Sequence, residues 1–345
     1  MSITLADLSF DLPPDLIASE PLADRSGSRM MAVDRGAQSF EDKRFSDVVS
    51  CLRADDLLVV NNTRVFPARL FGKTATGARI ELFLIRSIAD NDWECLARPG
   101  RRLKNGTRID IGPGFSATVL EKMPDGHLIV RFDCEGPLDA AIDLFGKTPV
   151  PPYIRRGADE SDKDRERYQT IYAAKRGAIA APTAGLHFTD EVLRQLRDKG
   201  VEIVEITLHV GYGTFEPVRV EELQEHRVAA EEYEISSEAA KAIEAARAAG
   251  RRIVAVGTTT TRALESNYSE FEAITPGRRM ADITILPGYK FNVVDALLTN
   301  FHLPQSSLLI LVSTFAGYDL IMRAYEHAIG EGYRFYSYGD CMFIS

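Results

Sequence analysis

Four short segments in the second half of the chain combine histidines with hydroxyl side chains and glycines. They are AAPTAGLHFT (180–189), TLHVGYGTF (207–215), VGTTTTRALES (256–266) and DALLTNFHLPQSS (295–307). Their histidines, His187, His209 and His302, are candidates for acid–base chemistry because imidazole titrates near neutral pH. Hydroxyls and backbone N–H groups at a helix start bind carboxylates, phosphates or sugar hydroxyls. The segments therefore predict a site for a polar or anionic ligand.

Each segment also has a purely structural explanation. A lone histidine can belong to a packed core, two glycines after a strand can form a β-bulge, threonines can cap a helix, and Asn300 with Pro304 can form a turn. The third segment lacks the glycine-rich patterns of dinucleotide folds and P-loops. The fourth predicts one polar loop, with Asp295, Asn300, His302, Gln305 and Ser306, that leads into the apolar run 308–312, which we interpret as a buried strand. Packing alone explains such polar density poorly, so we favour ligand binding.

The predicted elements place these segments just after the carboxyl ends of strands. A helix over 190–199, opened by Thr189 and Asp190 and ended by Gly200, precedes a strand over 201–210. A second helix over 238–249, capped by Ser236 or Ser237, precedes the buried strand 251–257. Open α/β sheets bind their ligands at the carboxyl ends of their strands. The pattern indicates a mixed α/β domain built from both ends of the chain.

The stretch from about Phe66 to Asp133 has a different pattern. Five short β-rich runs (78–86, 92–100, 107–114, 116–126 and 127–133) alternate there with turn residues, and no amphipathic helical window interrupts them. This pattern is typical of a small antiparallel barrel. The predicted fold class is therefore α/β: a discontinuous mixed α/β domain (1–62 and 148–345) with an inserted small antiparallel β-barrel domain (63–147).

Composition narrows the possible classes of protein. The length of 345 residues suits two domains, and 45% hydrophobic and 26% charged residues exclude disordered and fibrous classes. The four cysteines are scattered without a CxxC pair, so we expect no disulfide framework, no iron–sulfur cluster and no metal site. The start of the chain lacks a signal-peptide pattern and no apolar run could cross a bilayer. We therefore expect a cytoplasmic protein.

Two segments of the first half are rich in basic residues, although the net charge of -9 by itself argues against a nucleic-acid partner. The run RPGRRLKNGTR (98–108) carries five basic residues and no acid, and VNNTRVFPARL (60–70) adds Arg64 and Arg69. Such runs either bind phosphates or form solvated surface loops. The residues alone leave both explanations open.

Longer blocks of the sequence resemble a known family. LLVVNNTRVFPARLFG, RYQTIYA, AAPTAGLHFT, TLHVGYGTFEPVRVE, AVGTTTTRALES, LPGYKFNVVDALLTNFHLPQSSLLILVSTFAGY and YRFYSYGDCMFI are similar to the signature blocks of S-adenosylmethionine:tRNA ribosyltransferase-isomerases. The blocks follow the family's order over nearly the full chain. Departures are small: Arg176 precedes Gly177 where the family has proline, Thr259 to Thr261 replace a more mixed pattern, and Cys341 replaces alanine.

The resemblance implies an activity and its partners. Members of this family transfer and isomerise the ribosyl group of S-adenosylmethionine onto 7-aminomethyl-7-deazaguanine at the tRNA wobble position, which gives epoxyqueuosine and releases adenine and methionine. It implies no permanently bound cofactor, S-adenosylmethionine as co-substrate, a tRNA with a GUN anticodon as partner, and a monomer. A methyltransferase, which should carry a glycine-rich nucleotide loop, and a non-catalytic RNA-binding protein, which would not need histidine loops, are the alternatives.

The implied chemistry needs a base, an acid for adenine and a binding site for the sulfonium. Our catalytic candidates are His187 or His302 as the base, with His209 or Asp295 as the proton partner. Thr258 to Thr261 suit the methionine carboxylate or ribose hydroxyls, and two aromatic residues could stack on adenine. The full set of substrate-binding candidates is Thr183, Thr189, Tyr212, Thr214, Phe215, Thr258, Thr259, Thr260, Arg262 and Asn300. The tRNA-binding candidates are Asn61, Arg64, Arg69, Arg101, Arg102 and Lys104.

Overall fold

The computed structural model describes residues 3–151, 153–154, 162–211, 213, 218, 220 and 222–345. The chain forms two compact units. The first comprises Met1–Arg64, Pro151–Arg155 and Gln169–Ser345, and the second comprises Val65–Val150 and Arg156–Tyr168. The first is a mixed α/β unit with a large sheet, and the second contains a closed antiparallel β-barrel. The predicted fold class is confirmed.

The strands, in chain order, are β1 (Arg29–Asp34), β2 (Ser39–Arg44), β3 (Leu57–Asn61), β4 (Thr63–Val65), β5 (Arg69–Thr74), β6 (Arg79–Ala89), β7 (Asp92–Arg98), β8 (Arg108–Gly112), β9 (Phe115–Lys122), β10 (Leu128–Cys134), β11 (Lys175–Ala178), β12 (Glu202–Leu208), β13 (Glu231–Ile235), β14 (Ile253–Val256), β15 (Gly277–Ala281), β16 (Ala296–Asn300) and β17 (Cys341–Ile344). The helices are α1 (Val48–Cys51), α2 (Leu138–Phe145), α3 (Asp162–Arg167), α4 (Asp190–Lys199), α5 (Ser237–Ala248), α6 (Thr258–Phe271), α7 (Ser307–Ala316) and α8 (Tyr318–Gly330).

The large sheet has the strand order β15-β13-β12-β3-β14-β16-β17-β1-β2. Within it β12, β3, β14 and β16 are neighbours and run parallel. Strand β14 is buried along its whole length, as expected for a central strand covered on both faces. Because parallel neighbours end on the same side, the four strands share one edge, which we call the carboxyl edge.

Local capping explains where two of the predicted helices begin and end. Thr189 Oγ1 accepts a hydrogen bond from the Val192 N–H at 3.3 Å, and α4 ends at Gly200 with φ +99°. Ser236 Oγ accepts in the same way from the Ala239 N–H at 3.1 Å at the start of α5. Side-chain acceptors at the first turn and glycine at the last are the usual helix limits. Both predicted helices are confirmed.

Six strands of the second unit close in the order β10-β7-β6-β5-β8-β9. Alternate residues point inward, and Leu82, Leu84, Ile109, Val119 and Val130 are buried. Closure leaves none of these strands with an unpaired edge. The alternating pattern read from the sequence predicted five of these strands, β6 to β10, correctly.

The prediction of a buried strand over residues 308–312 is wrong. This run lies in helix α7, and the strand of this region is the preceding segment, β16. Ser306 Oγ caps α7 by accepting from the Leu309 N–H at 3.2 Å. A short apolar run that is buried on several sides has no periodicity that separates strand from helix, so the capping serine was the informative residue.

Among the described residues, no single helix has the length and apolar composition to cross a bilayer. Helices α7 and α8 meet those criteria only as a pair, and the chain bends by 117° between them.

Candidate functional site

The carboxyl edge brings together most of the segments selected from the sequence. Strand β12 leads to His209, β14 leads to the threonines of α6, and β16 ends at Asn300 just before His302. A short 3-10 turn, Thr183–His187, packs against β16. Ligands of open α/β sheets bind at such an edge, so the carboxyl edge is the candidate site.

His187 is the centre of a buried hydrogen-bond network. Its Nδ1 lies 3.0 Å from Ser28 Oγ and its Nε2 lies 3.2 Å from Asn300 Oδ1. The Asn300 amide donates to the carbonyls of Tyr336 at 2.8 Å and Ser337 at 3.3 Å, which fixes Oδ1 as the atom facing the imidazole. Because Oδ1 can only accept, Nε2 carries the proton, and the Nδ1 lone pair accepts from Ser28.

Burial, with smaller contributions from the charges of Arg334 and Arg25, lowers the pKa of His187 to about 4, although the Asn300 hydrogen bond opposes this shift. Burial likewise lowers the pKa of His302 to about 3. His302 Nε2 lies 2.9 Å from Thr299 Oγ1, and its backbone N–H donates to Tyr325 Oη at 2.9 Å. Both rings are neutral at physiological pH, so each retains a lone pair that can accept a proton.

His209 also lies at the carboxyl edge, just beyond β12. Its Nδ1 is 2.8 Å from Thr63 Oγ1, and its backbone N–H donates to the Glu232 carbonyl at 2.9 Å. The side chain is half-buried, and this burial lowers its pKa. His209 therefore stays a candidate proton partner.

Asp295 is placed apart from the other candidates, which corrects its predicted role. Its carboxylate accepts from the Ile253 N–H at 2.8 Å, so it joins the amino-terminal ends of β14 and β16. The full length of β16, roughly 16 Å at ~3.3 Å per residue, separates it from Asn300. The predicted polar loop over 295–307 does not exist as one loop, because a buried strand runs through it. Asp295 cannot reach the groups at the carboxyl edge.

The threonines that open α6 differ in whether their hydroxyls have a hydrogen-bond partner within the protein. Thr260 Oγ1 donates to the Val256 carbonyl at 2.7 Å, and Thr261 Oγ1 donates to the Gly257 carbonyl at 3.2 Å. These bonds use the hydroxyl hydrogens, and both residues are 0% exposed, so no ligand reaches them and the prediction for Thr260 is corrected. Thr259 Oγ1 is different: it is buried and has no hydrogen-bond partner.

The Arg262 guanidinium is bound within the protein and is not available to a ligand. Its Nη1 donates to Glu231 Oε2 at 2.5 Å, its Nη2 donates to the carbonyls of Ala229 and Ala281 at 3.1 and 3.0 Å, and its Nε donates to Ile283 at 3.3 Å. Both members of the ion pair are 4% exposed. The guanidinium holds this part of the fold together, which corrects its predicted binding role.

Replacing Arg262 with methionine is expected to lower the free energy of unfolding by about 3–5 kcal/mol, because it leaves the Glu231 carboxylate buried without its partner. Urea unfolding at pH 7 measures this. Arg278→Met, at an exposed pair with Glu232, is the control and should change stability by no more than about 0.5 kcal/mol. Arg262→Met/Glu231→Met should recover much of the loss. If Arg262→Met has the stability of the wild type but no longer binds S-adenosylmethionine, the result would instead support the predicted substrate-binding role of Arg262.

Three further substrate-binding candidates are engaged within the protein or partly covered. The Thr189 hydroxyl caps α4, and the Asn300 amide is used by His187 and two carbonyls, so neither is free for a ligand in this structure. Thr183 begins the turn that carries His187 and is half-buried. Tyr212, Thr214 and Phe215 lie outside the described residues.

A small cavity identifies residues that the sequence did not single out. It lies between the first turns of α6 and α7, and Thr258, Thr259, His226, Ser307 and Thr284 contribute polar groups to its wall. His226 Nε2 is 2.7 Å from Ser307 Oγ, and burial, with a smaller effect of Arg227, lowers the pKa of this histidine. His226 lies within a largely acidic stretch of sequence, and its partner is 81 positions away. No local pattern connects the two.

Tyr336 is a second residue without a sequence signal. Its φ of +76° is strained for an aromatic residue, and hydrogen bonds from Asn300 and from the Gly339 N–H to its carbonyl hold it. Its ring meets Tyr153 edge-on at a centroid distance of 4.1 Å. Burial raises the pKa of Tyr336 to about 12, so the hydroxyl stays protonated. An aromatic pair thus lies beside the His187 network.

The predicted tRNA-binding residues have different environments. Asn61 is 1% exposed, and its amide is used by the backbone of Leu208 and Thr63, so it cannot reach tRNA and that prediction is corrected. Arg69 pairs with Glu81 at 2.7 Å in the barrel unit. The exposed candidates are Arg64, Arg101, Arg102 and Lys104.

Lys122 joins the exposed basic residues of the barrel unit. Its Nζ donates to the carbonyls of Gly100 and Arg101 at 3.0 and 3.2 Å. We call residues 98–108 together with Lys122 the basic loop. Lys122 lies on β9, which pairs with β8, so it is outside the basic run 98–108 selected from the sequence.

Comparison with known proteins identifies the family. The model of the queuosine biosynthesis protein family matches residues 5–344. The chain belongs to this family. A relative from Desulfitobacterium hafniense is 49% identical over 342 residues and 99% of both chains, and one from Trichlorobacter lovleyi is 48% identical over 338 residues and 98% of both. Both are named S-adenosylmethionine:tRNA ribosyltransferase-isomerase.

A solved structure agrees with this family membership. It is that of the S-adenosylmethionine tRNA ribosyltransferase from Thermotoga maritima, which is 36% identical, with a TM-score of 0.56 over 98% of this chain and 100% of that one. The resemblance inferred from the sequence is confirmed. The family consists of transferases that act on tRNA with S-adenosylmethionine in queuosine biosynthesis.

Proposed function

We propose that this enzyme transfers and isomerises the ribosyl group of S-adenosylmethionine onto 7-aminomethyl-7-deazaguanine at the wobble position of a tRNA with a GUN anticodon. The product is epoxyqueuosine, and adenine and methionine leave. The observation that carries the proposal is the carboxyl edge itself. There His187 lies in a turn that packs against β16, His302 follows β16, and Thr259, whose buried hydroxyl has no hydrogen-bond partner, follows the neighbouring parallel strand β14. Because its tRNA substrate is a cytoplasmic molecule, we also propose a cytoplasmic location, and a monomer.

The proposed course begins at the ribose carbon beside the sulfonium, whose positive charge acidifies the C–H bond. We assign His187 as the base, because its neutral ring has a lone pair that only the Ser28 hydroxyl occupies. Adenine then leaves, the amine of the deazaguanine attacks the anomeric carbon, and epoxide closure expels methionine. His302 is the alternative base and His209 the proton partner. The pair Tyr153 and Tyr336 offers aromatic surface for a flat base.

Product analysis tests the reaction. The enzyme is incubated with S-adenosylmethionine and an anticodon stem-loop that carries 7-aminomethyl-7-deazaguanine. Equimolar adenine and methionine are expected, and release of S-adenosylhomocysteine would indicate methyl transfer instead. Stem-loop binding without any turnover of S-adenosylmethionine would favour a non-catalytic RNA-binding protein.

The basic loop is the proposed contact for tRNA phosphates, since its arginines are exposed. Arg101→Glu/Arg102→Glu is expected to weaken tRNA binding on the order of tenfold and to reduce the slope of log affinity against log salt by about 2. Fluorescence anisotropy across a salt series measures both. Arg197→Glu, an exposed position on α4, is the control. Unchanged affinity and slope in the double variant would refute the assignment.

A further inference from the structure

The cavity between the first turns of α6 and α7 has the properties of an anion site. Residues from the first turns of both helices line it, and the unpaired N–H groups of a first helical turn create a positive potential that favours anions. Gly257 precedes α6 and provides no capping side chain. The first N–H groups of this helix are therefore left for another acceptor.

Thr259 adds an observation independent of helix geometry. The residue is 8% exposed, its Oγ1 is buried without a hydrogen-bond partner, and it lines this cavity. A buried hydroxyl without a partner costs stability, so its presence requires an explanation. A ligand oxygen that accepts its hydrogen provides one.

Gly257 lies between this hydroxyl and the turn that carries His187. Its φ of +91° suits glycine, and a Cβ at this position would lie 3.7 Å from Thr259 Oγ1 and 3.9 Å from Ala184 Cβ. Ala184 belongs to the 3-10 turn that carries His187. The anion site and the proposed base are thus connected through adjacent elements at the carboxyl edge.

The groups facing the cavity favour an anion over a cation. Arg262 and Glu231 both line it, but their 2.5 Å ion pair largely cancels their charges. If His226 Nε2 donates to Ser307 Oγ, the serine hydroxyl hydrogen is free to point into the cavity. The remaining polar wall is made of threonine hydroxyls. Hydroxyls and helix N–H groups together are donors suited to a carboxylate.

From this arrangement we propose that the cavity binds the carboxylate of the methionyl part of S-adenosylmethionine. Thr259, Ser307 and the first turn of α6 donate to it, and His226 positions Ser307. This inference rests on the proposed function. It places the ribose towards the turn that carries His187, where proton removal occurs.

A ligand–protein double-mutant cycle tests the proposal. Dissociation constants of S-adenosylmethionine and of its decarboxylated analogue are measured by calorimetry for the wild type, Thr259→Val and Thr314→Val. Loss of a hydrogen bond to a charged group should raise the constant for S-adenosylmethionine by about 10–100-fold in Thr259→Val. The decarboxylated analogue should be little affected. Thr314→Val is the matched control because its hydroxyl is already bonded to the Ile310 carbonyl at 2.8 Å.

Equal effects of Thr259→Val on both ligands, or no effect on either, would overturn the proposal. If Thr259→Val does not fold, Ser307→Ala replaces it in the same cycle with the same criterion. The proposed function has a separate test in product analysis of the wild type. An enzyme that releases adenine and methionine but shows no carboxylate-specific effect would refute only the anion site.

Discussion

Glutamine in place of His187 is expected to slow deuterium exchange at the ribose carbon beside the sulfonium by about 10²–10⁴-fold, the usual contribution of a general base. The physical reason is the neutral state of the buried ring, whose pKa burial lowers to about 4. Glutamine can replace the hydrogen bond to Asn300 but cannot accept a proton at physiological pH. S-adenosylmethionine recovered after incubation in D₂O, analysed by mass spectrometry, gives the exchange rate.

The control for this experiment is His327→Gln. His327 lies on α8 with its Nε2 3.0 Å from Asp42 Oδ2, and we assign it no role in the reaction. His302→Gln tests the alternative base in parallel. Unchanged exchange rates in both His187→Gln and His302→Gln would eliminate the histidine base, and a loss confined to His302→Gln would transfer the role to that residue.

Acid is expected to destabilise the enzyme well above the range in which carboxylates titrate. The folded-state pKa of His187 is about 4 and that of His302 about 3, against ~6.5 in an unfolded chain. A depressed histidine pKa means that the unfolded state binds more protons. Stability is therefore complete above about pH 6.5 and falls with decreasing pH until the folded-state values are passed. The two residues together should remove roughly 5 kcal/mol between pH 7 and pH 4.5.

Urea unfolding at pH values from 7.5 to 4.5, a range set by the ~6.5 reference pKa of histidine, measures this dependence. His187→Gln/His302→Gln should show a shallower dependence, even if its stability at neutral pH is lower. Burial raises the pKa values of Asp42 and Glu94, but hydrogen bonds and opposite charges of neighbouring side chains outweigh it and lower both, so these groups lose their contribution at more acidic pH. The burial of Asp340 raises its pKa and acts in the opposite direction. Identical pH dependence in the wild type and the double variant would contradict the assigned burial of the two rings.

Local patterns predicted those elements whose limits depend on neighbouring residues. The alternation in β6 to β10 and the caps at Thr189 and Ser236 are read within a few positions, and the structure agrees. The error at β16 and α7 shows the limit of this approach. Two short apolar runs follow each other there, and neither has a periodicity that separates strand from helix. The cap at Ser306 is the local feature that marks the second run as a helix.

The candidate site could be predicted only in part because sequence does not reveal how a polar side chain is used. Asn61, Arg262 and Thr260 have the residue types of ligand-binding groups, yet backbone carbonyls, backbone N–H groups or a buried carboxylate occupy them. Asp295 is five residues from Asn300 in the chain but lies at the opposite end of the same strand. The interaction of His226 with Ser307 depends on a contact between distant parts of the chain.

We propose that the carboxyl edge acts on the ribosyl part of S-adenosylmethionine and not on its methyl group. The most direct measurement uses S-adenosylmethionine with ¹⁴C in the ribose and ³H in the methyl group, together with a stem-loop that carries 7-aminomethyl-7-deazaguanine. We expect ¹⁴C in the RNA and ³H in free methionine. Transfer of ³H to the RNA, with ¹⁴C left in S-adenosylhomocysteine, would contradict it.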